Sequence, residues 1–258
     1  MTARVKDKVA LVTGGASGVG LEAVSLLLAE GARVAFSDIN AEAGEQRLAQ
    51  WNRQYPERVM FVRQDVTSEG DWAATMAAVG QRFGALNVLV NNAGILIPGT
   101  IETAQLEQFR RLMQVNADSC FLGCQHGVAA MKDAGGSIIN MASISSWLPI
   151  DSYVGYSATK AAVAALTRST ALLCRKKGYR IRVNSIHPDG IFTPMMEASL
   201  PRGVTKEMVL HDPEHNRGGR AYMPERIAQL VLFLASDDSS VISGAEMHAD
   251  NAVLGMGL

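Results

Sequence analysis

The sequence lacks a long apolar run, an excess of charge of either sign, and more than a few cysteines. Its 258 residues have a net charge of -1, which excludes the electrostatic footprint of a nucleic-acid-binding protein. No basic run marks a membrane-surface protein either. The charged residues 1–8 lead into only a few apolar residues, too few for a signal peptide or a membrane span, so we expect a cytoplasmic protein with no membrane partner.

Possible metal ligands are equally sparse. The three cysteines are too few for a disulfide framework and are read as small buried thiols: Cys120, Cys124 and Cys174. His211 and His215 have a zinc-like spacing, but Pro213 breaks the helix that would align them, so this segment is predicted to be a loop. We expect no metal.

Near the N-terminus, a short apolar run is followed by a glycine-rich turn and a helical pattern. The turn, Gly14–Gly20, lets the backbone approach a ligand, and the helix after it offers free N–H groups to a pyrophosphate. A second predicted strand ends in Asp38, eighteen residues beyond Gly20, where an acidic residue binds the adenosine ribose of NAD and repels the 2′-phosphate of NADP. The pattern predicts NAD, and the alternative for Asp38 is an N-cap of the next helix.

Strands and helices alternate along the rest of the chain. Further apolar runs end near Asp65-Val66, near Asn91-Asn92-Ala93-Gly94 and just before Ser143, and two more strands complete a count of seven. This alternation predicts an α/β fold, a single doubly wound domain of Rossmann type with a seven-stranded parallel sheet and helices on both faces. Asn91 and Asn92 follow a buried strand, which favours a place beside the cofactor over a role as turn formers.

Tyr156 and Lys160 are predicted to act together on a long helix from about Tyr153 to Arg175. Residues four apart share a helical face, and a cation about 5 Å away at an effective dielectric of about 20 would lower the phenol pKa by about two units. The phenol could then exchange a proton with an alcohol near neutral pH. Tyr153 is the rival tyrosine, but its partner four residues on is Ser157.

The sequence resembles the short-chain dehydrogenase/reductase family over nearly its whole length. The motifs occur in the same order: Thr13-Gly14-x-x-x-Gly18-x-Gly20, Asp38, Asp65, Asn91-Asn92-Ala93-Gly94, Asn116, Ser143 and Tyr156-x-x-x-Lys160. The resemblance implies that Ser143 binds the reacting oxygen, Tyr156 transfers the proton and Lys160 lowers its pKa. Asn116, read from the sequence as a break between two helices, is implied to hold a water that relays protons past Lys160.

The resemblance also implies a set of contacts to NAD. They come from Gly14, Ser17, Gly18, Val19, Gly20, Asp38, Asp65, Val66, Asn92, Ala93, Gly94, Tyr156, Lys160, Pro188, Gly190, Ile191 and Thr193.

Within the family, residues 145–150, 187–190 and 198–225 resemble the bacterial hydroxysteroid dehydrogenases. This implies reversible oxidation of the 3β- or 17β-hydroxyl of a steroid by NAD, in a homotetramer packed partly through the long helix. The tail 253–258 is expected to seal a second interface. Two departures are Asp189 within the Pro-Gly element and Asp250-Asn251-Ala252 in place of Asp-Gly-Gly. Both bear on specificity more than on chemistry.

A mobile substrate lid is predicted at about 192–222, a segment rich in Pro, Gly and charge. Apolar residues near the predicted reacting centre suit a rigid polycyclic substrate. They are Leu96, Ile97, Pro98, Trp147, Leu148, Pro149, Phe192, Met195, Met196, Leu200, Met208 and Val209. Two alternatives stay open: a dehydrogenase of another bulky cyclic alcohol or a 3-oxoacyl reductase, and a dinucleotide-sensing protein without turnover.

Overall fold

A parallel sheet forms the centre of the protein, whose computed structural model describes residues 3–256. Its strands are β1 (Val9–Thr13), β2 (Arg33–Asp38), β3 (Val59–Arg63), β4 (Val88–Asn91), β5 (Gly136–Met141), β6 (Ile181–Pro188) and β9 (Glu246–Ala249). They lie in the order β3-β2-β1-β4-β5-β6-β9, and every neighbouring pair is parallel. The predicted seven-stranded, doubly wound sheet is confirmed.

Helices cover both faces of this sheet. They are α1 (Gly18–Ala29), α2 (Ala41–Gln54), α3 (Glu69–Phe83), α4 (Leu106–Leu112), α5 (Ser119–Met131), α6 (Val154–Lys177), α7 (Pro194–Glu197), α8 (Lys206–Val209) and α9 (Pro224–Ala235). α1, α2 and α9 pack on one face, and α3, α5 and α6 pack on the other. Between residues 3 and 256, no helix is both long and apolar enough to cross a bilayer.

The strands are apolar throughout because both faces of the sheet are covered. All five residues of β1 are buried, and its alternate side chains enter opposite halves of the core. Ala10 and Val12 pack with α1 and α9, whereas Val9 and Leu11 pack with α3, α5 and α6. A strand placed between two helical layers therefore reads as a continuous apolar run.

The strand order reverses between β1 and β4. Crossovers run outward from this pair in both directions, so the loops after β1 and β4 part and leave a crevice at the carboxyl edge of the sheet. The loops after β2, β3, β5 and β6 open toward the same edge. The fold thereby brings together polar residues that are far apart in the sequence.

Two local features differ from the sequence-based expectation. The chain does not break at Asn116: α4 and α5 join through a π-helical turn, Met113–Asp118, into one continuous helical segment. A small parallel sheet of β7 (Gly190–Ile191) and β8 (Ala221–Tyr222) was not predicted. It closes the base of the predicted lid, which carries α7 and α8.

Candidate active site

A cavity of about 480 Å³ runs along the carboxyl edge of the sheet. The loops after six strands contribute to its walls, as expected for a switch-point crevice. Its lining includes most of the predicted cofactor and catalytic residues: Gly14, Ser17, Gly18, Val19, Asp38, Asp65, Val66, Asn92, Ala93, Gly94, Ser143, Tyr156, Lys160, Pro188, Gly190, Ile191 and Thr193. Gly20, Asn91 and Asn116 are the predicted site residues outside this set.

The glycine-rich turn is shaped for a close approach to a ligand. Gly14 has a φ of +64°, and a Cβ there would lie 2.9 Å from the Cα of Ala93. Ser17 is the N-cap of α1 but makes no side-chain cap bond, so it leaves N–H groups of the first turn free for an anion. Gly20 has another role, because its Cβ would lie 2.1 Å from the carbonyl oxygen of Gly14. Gly20 lets the turn close on itself and does not face the cavity.

Asp38 lies at the end of β2 with its carboxylate held by the backbone. Its two oxygens accept hydrogen bonds from the N–H groups of Ala16 (3.2 Å) and Asn40 (3.0 Å). The alternative N-cap role is wrong, because Asn40 is the N-cap of α2 and its side chain accepts from Ala43 N–H. Asp38 therefore presents a fixed negative charge at one end of the cavity.

Asp65 and Val66 lie beside that end, after β3. Asp65 accepts two hydrogen bonds from Thr67, and these bonds hold the pKa of its carboxyl below the usual value. The preceding residue, Gln64, was missed by the sequence analysis. It is buried, lines the cavity, and both polar atoms of its amide lack a partner in the part of the chain that the structure describes. Its place between a strand and Asp65 was the signal that could have identified it.

The two asparagines after β4 have different tasks. The Asn92 amide donates to the carbonyl oxygens of Thr13 (3.0 Å) and Gly14 (3.2 Å), which ties the loops after β1 and β4 together at the switch point. Asn91 points into the core, where its amide donates to Asn140 Oδ1 at 2.8 Å. The expected cofactor-side place of Asn91 is wrong because alternate residues of a buried strand face opposite sides.

Ser143, Tyr156 and Lys160 meet at the middle of the cavity. Tyr156 is hydrogen-bonded to the Ser143 side chain, which also accepts from Ser145 N–H at 3.1 Å. Lys160 Nζ lies 5.5 Å from the centroid of the Tyr156 ring and donates to the carbonyl oxygen of Met141 at 2.8 Å. The strand β5, the turn after it and α6 thus place a hydroxyl, a phenol and an amine side by side.

Burial, and not the neighbouring amine, dominates the proton affinity of the Tyr156 phenol. Burial raises the pKa of Tyr156 to about 12, although the bond with Ser143 opposes the rise. Burial also lowers the pKa of Lys160 to about 8. The expected lowering of the phenol pKa is therefore wrong, because the Coulomb argument omitted the cost of desolvating a phenolate.

Asn116 is held rigidly in the π-helical turn. Its Oδ1 accepts from Ile95 N–H at 2.8 Å, and its Nδ2 donates to Ile95 O (2.9 Å) and Thr159 Oγ1 (3.2 Å). A Cβ on Gly94 would lie 3.2 Å from Asn116 Oδ1 and 3.7 Å from Lys160 Nζ. Asn116 therefore joins the loop after β4 to α6 immediately beside Lys160.

The substrate end of the cavity is built differently from the prediction. Of the twelve apolar residues expected there, Leu96, Met195 and Met196 line it. Those outside its lining are Ile97, Pro98, Trp147, Leu148, Pro149, Phe192, Leu200, Met208 and Val209. Residues that were missed are Ile95, Ile144, Ile150, Tyr153 and Ser199. Tyr153 and Ile150 precede α6 closely, and that proximity to Tyr156 was the available signal.

Asp189 forms the floor between this cavity and the lid. Its carboxylate accepts from Arg220 Nε (2.8 Å) and Nη2 (2.9 Å) in a two-pronged ion pair, and it lines the cavity. The pair joins Asp189, between β6 and β7, to Arg220, immediately before β8. The unusual Asp189 thus has a partner within the chain.

The possible metal ligands form no site between residues 3 and 256, where no three of them come together. The three cysteines are free and buried. Asp212 Oδ1 accepts from the backbone of Glu214 and His215, which makes this segment a turn, as predicted.

Comparisons with known proteins agree with this geometry. A family model described as enoyl-(acyl carrier protein) reductase matches residues 14–253. The 3-beta-hydroxysteroid dehydrogenase of Comamonas testosteroni is 72% identical over the full length of both chains. A 3-alpha-(or 20-beta)-hydroxysteroid dehydrogenase of Mycobacterium tuberculosis is 42% identical and aligns with 98% of this chain and 92% of its own. The crystal structure of levodione reductase superposes with a TM-score of 0.88 at 32% identity, covering 98% of this chain and 99% of that one.

Proposed function

The chain belongs to the short-chain dehydrogenase/reductase family of oxidoreductases, and on that premise we propose that it oxidises the 3β- or 17β-hydroxyl of a steroid reversibly with NAD. The observation that carries the proposal is the meeting of Ser143, Tyr156 and Lys160 midway along one cavity. A fixed carboxylate, Asp38, lies at one end of that cavity and an apolar chamber at the other. The 72% identity to a 3-beta-hydroxysteroid dehydrogenase supports the substrate.

The residues present fit a nicotinamide dinucleotide. The uncapped first turn of α1 suits a pyrophosphate, and Asp38 suits the adenosine ribose. Lys160, Tyr156 and the residues Pro188 to Thr193 would surround its nicotinamide end. When bound, the oxidised cofactor supplies the hydride acceptor.

NAD is proposed over NADP because of the charge at Asp38. Its carboxylate is fixed by two backbone N–H groups and cannot swing away at low cost. A 2′-phosphate placed there would bring two or more negative charges together.

The proposed chemistry uses each of the three central groups for one task. Ser143 Oγ hydrogen-bonds the substrate oxygen and orients it toward Tyr156. In ketone reduction Tyr156 donates its proton to that oxygen, and its pKa of about 12 keeps the proton available at neutral pH. In alcohol oxidation Tyr156 must first be a phenolate, which Lys160 stabilises, and this phenolate accepts the hydroxyl proton of the alcohol. Asn116 is proposed to hold a water that relays protons from Lys160.

A steroid fits the chamber beyond Tyr156 because the side chains there are mostly apolar. They are Leu96, Ile144, Ile150, Tyr153, Met195 and Met196. The family model's description raises an acyl thioester as a second candidate. Apart from Lys160, Arg111 is the cation among the described lining residues, and it lies near Asp65 at the cofactor end. Among the described lining residues, the substrate end of the cavity therefore offers a phosphate-bearing acyl carrier no cation, although Lys206 and Arg220 lie on the lid outside that lining.

Residues 192–222 are proposed to form a substrate lid, and the chain is proposed to form a single domain and a homotetramer. The lid carries Met195, Met196 and Ser199 into the cavity wall and holds two helices of only four residues each. The three free, buried cysteines suit a reducing compartment, which supports a cytoplasmic location. Fractionation of the source cells would test that location.

The decisive test is an NADH absorbance assay of the purified enzyme. We expect the highest kcat/KM with 3β- and 17β-hydroxysteroids and NAD, and lower values with 3α- and 7-hydroxysteroids, cyclohexanol and NADP. Faster reduction of a 3-oxoacyl thioester than of a 3-oxosteroid would refute the proposal that the substrate is a steroid. Tight NADH binding without turnover of any of these alcohols would favour a dinucleotide-sensing protein.

A further inference from the structure

A buried histidine near the end of β6, His187, contacts the backbone carbonyl of Ser143. His187 is fully buried, and its Nδ1 lies 3.1 Å from the carbonyl oxygen of Ser143 and 2.8 Å from Ser146 Oγ. Its Nε2 lies 2.8 Å from Ser185 Oγ. Ser146 Oγ in turn donates to the same Ser143 carbonyl at 2.6 Å. Two side chains from different parts of the fold thus converge on one carbonyl oxygen.

These contacts fix the tautomer of the imidazole. The Ser143 carbonyl can only accept, and the Ser146 hydroxyl already donates to it, so Nδ1 must carry the hydrogen. Nε2 is then left as an acceptor for the Ser185 hydroxyl. Burial, and after it the neighbouring His248, lowers the pKa of His187 to about 4, so the ring is neutral at physiological pH.

The charged groups around the ring act in opposite directions on its protonation. From β9, the Glu246 carboxylate lies 3.6 Å from Nε2, and His248 lies 5.2 Å away between ring centroids. From α6, Arg168 pairs with Glu246, and Lys160 precedes Arg168 on the same helix. The Glu246 carboxylate also accepts from the Trp147 indole N–H. Arg168 offsets the Glu246 charge by pairing with it, and the positive charges of Arg168 and Lys160 disfavour a second proton on the ring.

The carbonyl that His187 contacts belongs to the residue whose side chain bonds Tyr156. Ser143 is in an extended conformation, φ -165° and ψ 157°, and a short 3-10 turn, Ile144–Ser146, follows it. Rotation about ψ of Ser143 would move that turn, including the Ser145 N–H that holds Ser143 Oγ. A donor that fixes the carbonyl therefore also fixes the direction of the hydroxyl.

We propose that His187 is a positioning residue for the reaction, which holds Ser143 Oγ toward Tyr156 through its Nδ1–H bond to the Ser143 carbonyl. The inference rests on the proposed alcohol dehydrogenase function and adds a residue to it. In this role the property of His187 that the reaction requires is the Nδ1–H donor, and not the size of the ring or a positive charge.

Two amide variants distinguish the role of Nδ1 from that of Nε2. In His187→Asn the amide nitrogen can occupy the place of Nδ1, whereas in His187→Gln it lies one bond farther out, toward Ser185. We expect kcat of the Asn variant within about three-fold of wild type and that of the Gln variant reduced about ten-fold or more, with KM for NAD changed less than about two-fold in both. Ser185→Ala, which removes only the partner of Nε2, should leave kcat unchanged.

The tautomer of His187 can be measured by NMR, independently of enzyme activity. Long-range ¹H–¹⁵N correlation spectra of histidine-labelled, ligand-free protein should give His187 a protonated Nδ1 and an unprotonated Nε2, with His187→Asn assigning the signals. An Nε2–H tautomer or an imidazolium at pH 7 would overturn the inference, as would equal loss of kcat in the Asn and Gln variants. All rates are measured on a 3β-hydroxysteroid and on cyclohexanol. A wild-type enzyme that oxidises cyclohexanol but no steroid would refute the proposed steroid substrate. The kcat ratios between the variants and wild type on cyclohexanol would still decide the role of His187.

Discussion

At neutral pH the exchangeable proton resides on Tyr156, because burial raises the pKa of its phenol to about 12, well above that of Lys160, about 8. Both values follow from burial, which penalises phenolate and ammonium alike. A neutral phenol beside an amine that titrates near physiological pH responds strongly to any charge that enters the cavity. The bond between Ser143 and Tyr156 opposes part of this effect of burial on the phenol.

Removal of the phenolic hydroxyl should abolish turnover and spare binding. We predict that Tyr156→Phe lowers kcat by about a thousand-fold, the loss expected of a proton-transfer group, and changes the Kd for NADH less than about three-fold. Stopped-flow kinetics and NADH fluorescence titration measure the two. Tyr153→Phe is the matched control, because Tyr153 lines the same cavity, and it should remain within a few-fold of wild type. A Tyr156→Phe enzyme with near-normal kcat would exclude the proposed role.

The choice of cofactor should depend on one carboxylate. We predict that Asp38→Ala lowers the ratio of kcat/KM for NAD to that for NADP by about ten-fold or more, because the repulsion of a 2′-phosphate and a bond to the ribose are both lost. Steady-state kinetics with each cofactor measure the ratio. Glu42→Ala removes a nearby acid from the first turn of α2, outside the cavity, and should not move it. An unchanged ratio in Asp38→Ala would refute the assignment.

Among the structural elements, the lid is fastened at its base by an ion pair between Asp189 and Arg220. Asp189 has a nearly buried side chain, whereas Arg220 is about half exposed, so the pair sits at the boundary between cavity and solvent. Its two hydrogen bonds reinforce the two-residue ladder of β7 and β8 at the base of the lid. A carboxylate that nearly lacks solvent is costly once its partner is removed.

Breaking this pair from the Arg220 side should loosen the lid. We predict that Arg220→Met raises KM for the alcohol about five-fold and speeds proteolysis within residues 198–222, because it leaves Asp189 unpaired beside the cavity. The double variant Asp189→Asn/Arg220→Met removes the unpaired charge and should recover most of the loss. Steady-state kinetics and mass spectrometry of tryptic fragments give the two readouts. A double variant as impaired as the single one would show that the unpaired charge is not the cause.

The sheet elements were predictable from sequence, whereas the contacts that tune the site were not. Continuous apolar runs such as Val9–Thr13 identify strands buried on both faces, and Gly178, with φ +70°, marks the end of α6 one turn after the predicted Arg175. The bond from Lys160 to the Met141 carbonyl joins residues nineteen apart and leaves no periodic trace. Nor does the desolvation that raises the pKa of Tyr156. The lid's two-residue strands are too short for any pattern, which is why β7 and β8 were missed.

At the scale of the whole molecule, one face of the helical layer remains apolar and uncovered. Large exposed apolar side chains occur on α4, α5 and α6: Leu106, Phe109, Phe121, Leu172 and Leu173. An exposed set of this size on one face is typical of an interface between proteins. α5 and α6 follow successive parallel strands on the same side of the sheet, so they run in the same direction. The expected tail interface extends to residues 257–258, which lie outside the described residues.

A two-fold axis that lies in this interface, perpendicular to the helices, would bring the layers of two copies face to face with their helices antiparallel. Phe121, near the start of α5, would then meet Leu172 and Leu173, near the end of α6, of the second copy. We predict that Phe121→Glu and Leu172→Glu each lower the mass measured by light scattering from that of a tetramer to that of a dimer or monomer, because each buries an unpaired charge. Met208→Glu alters an equally exposed apolar residue of α8, on the lid, and should leave the mass unchanged. Tetramers that persist in both interface variants would place the interface on another face.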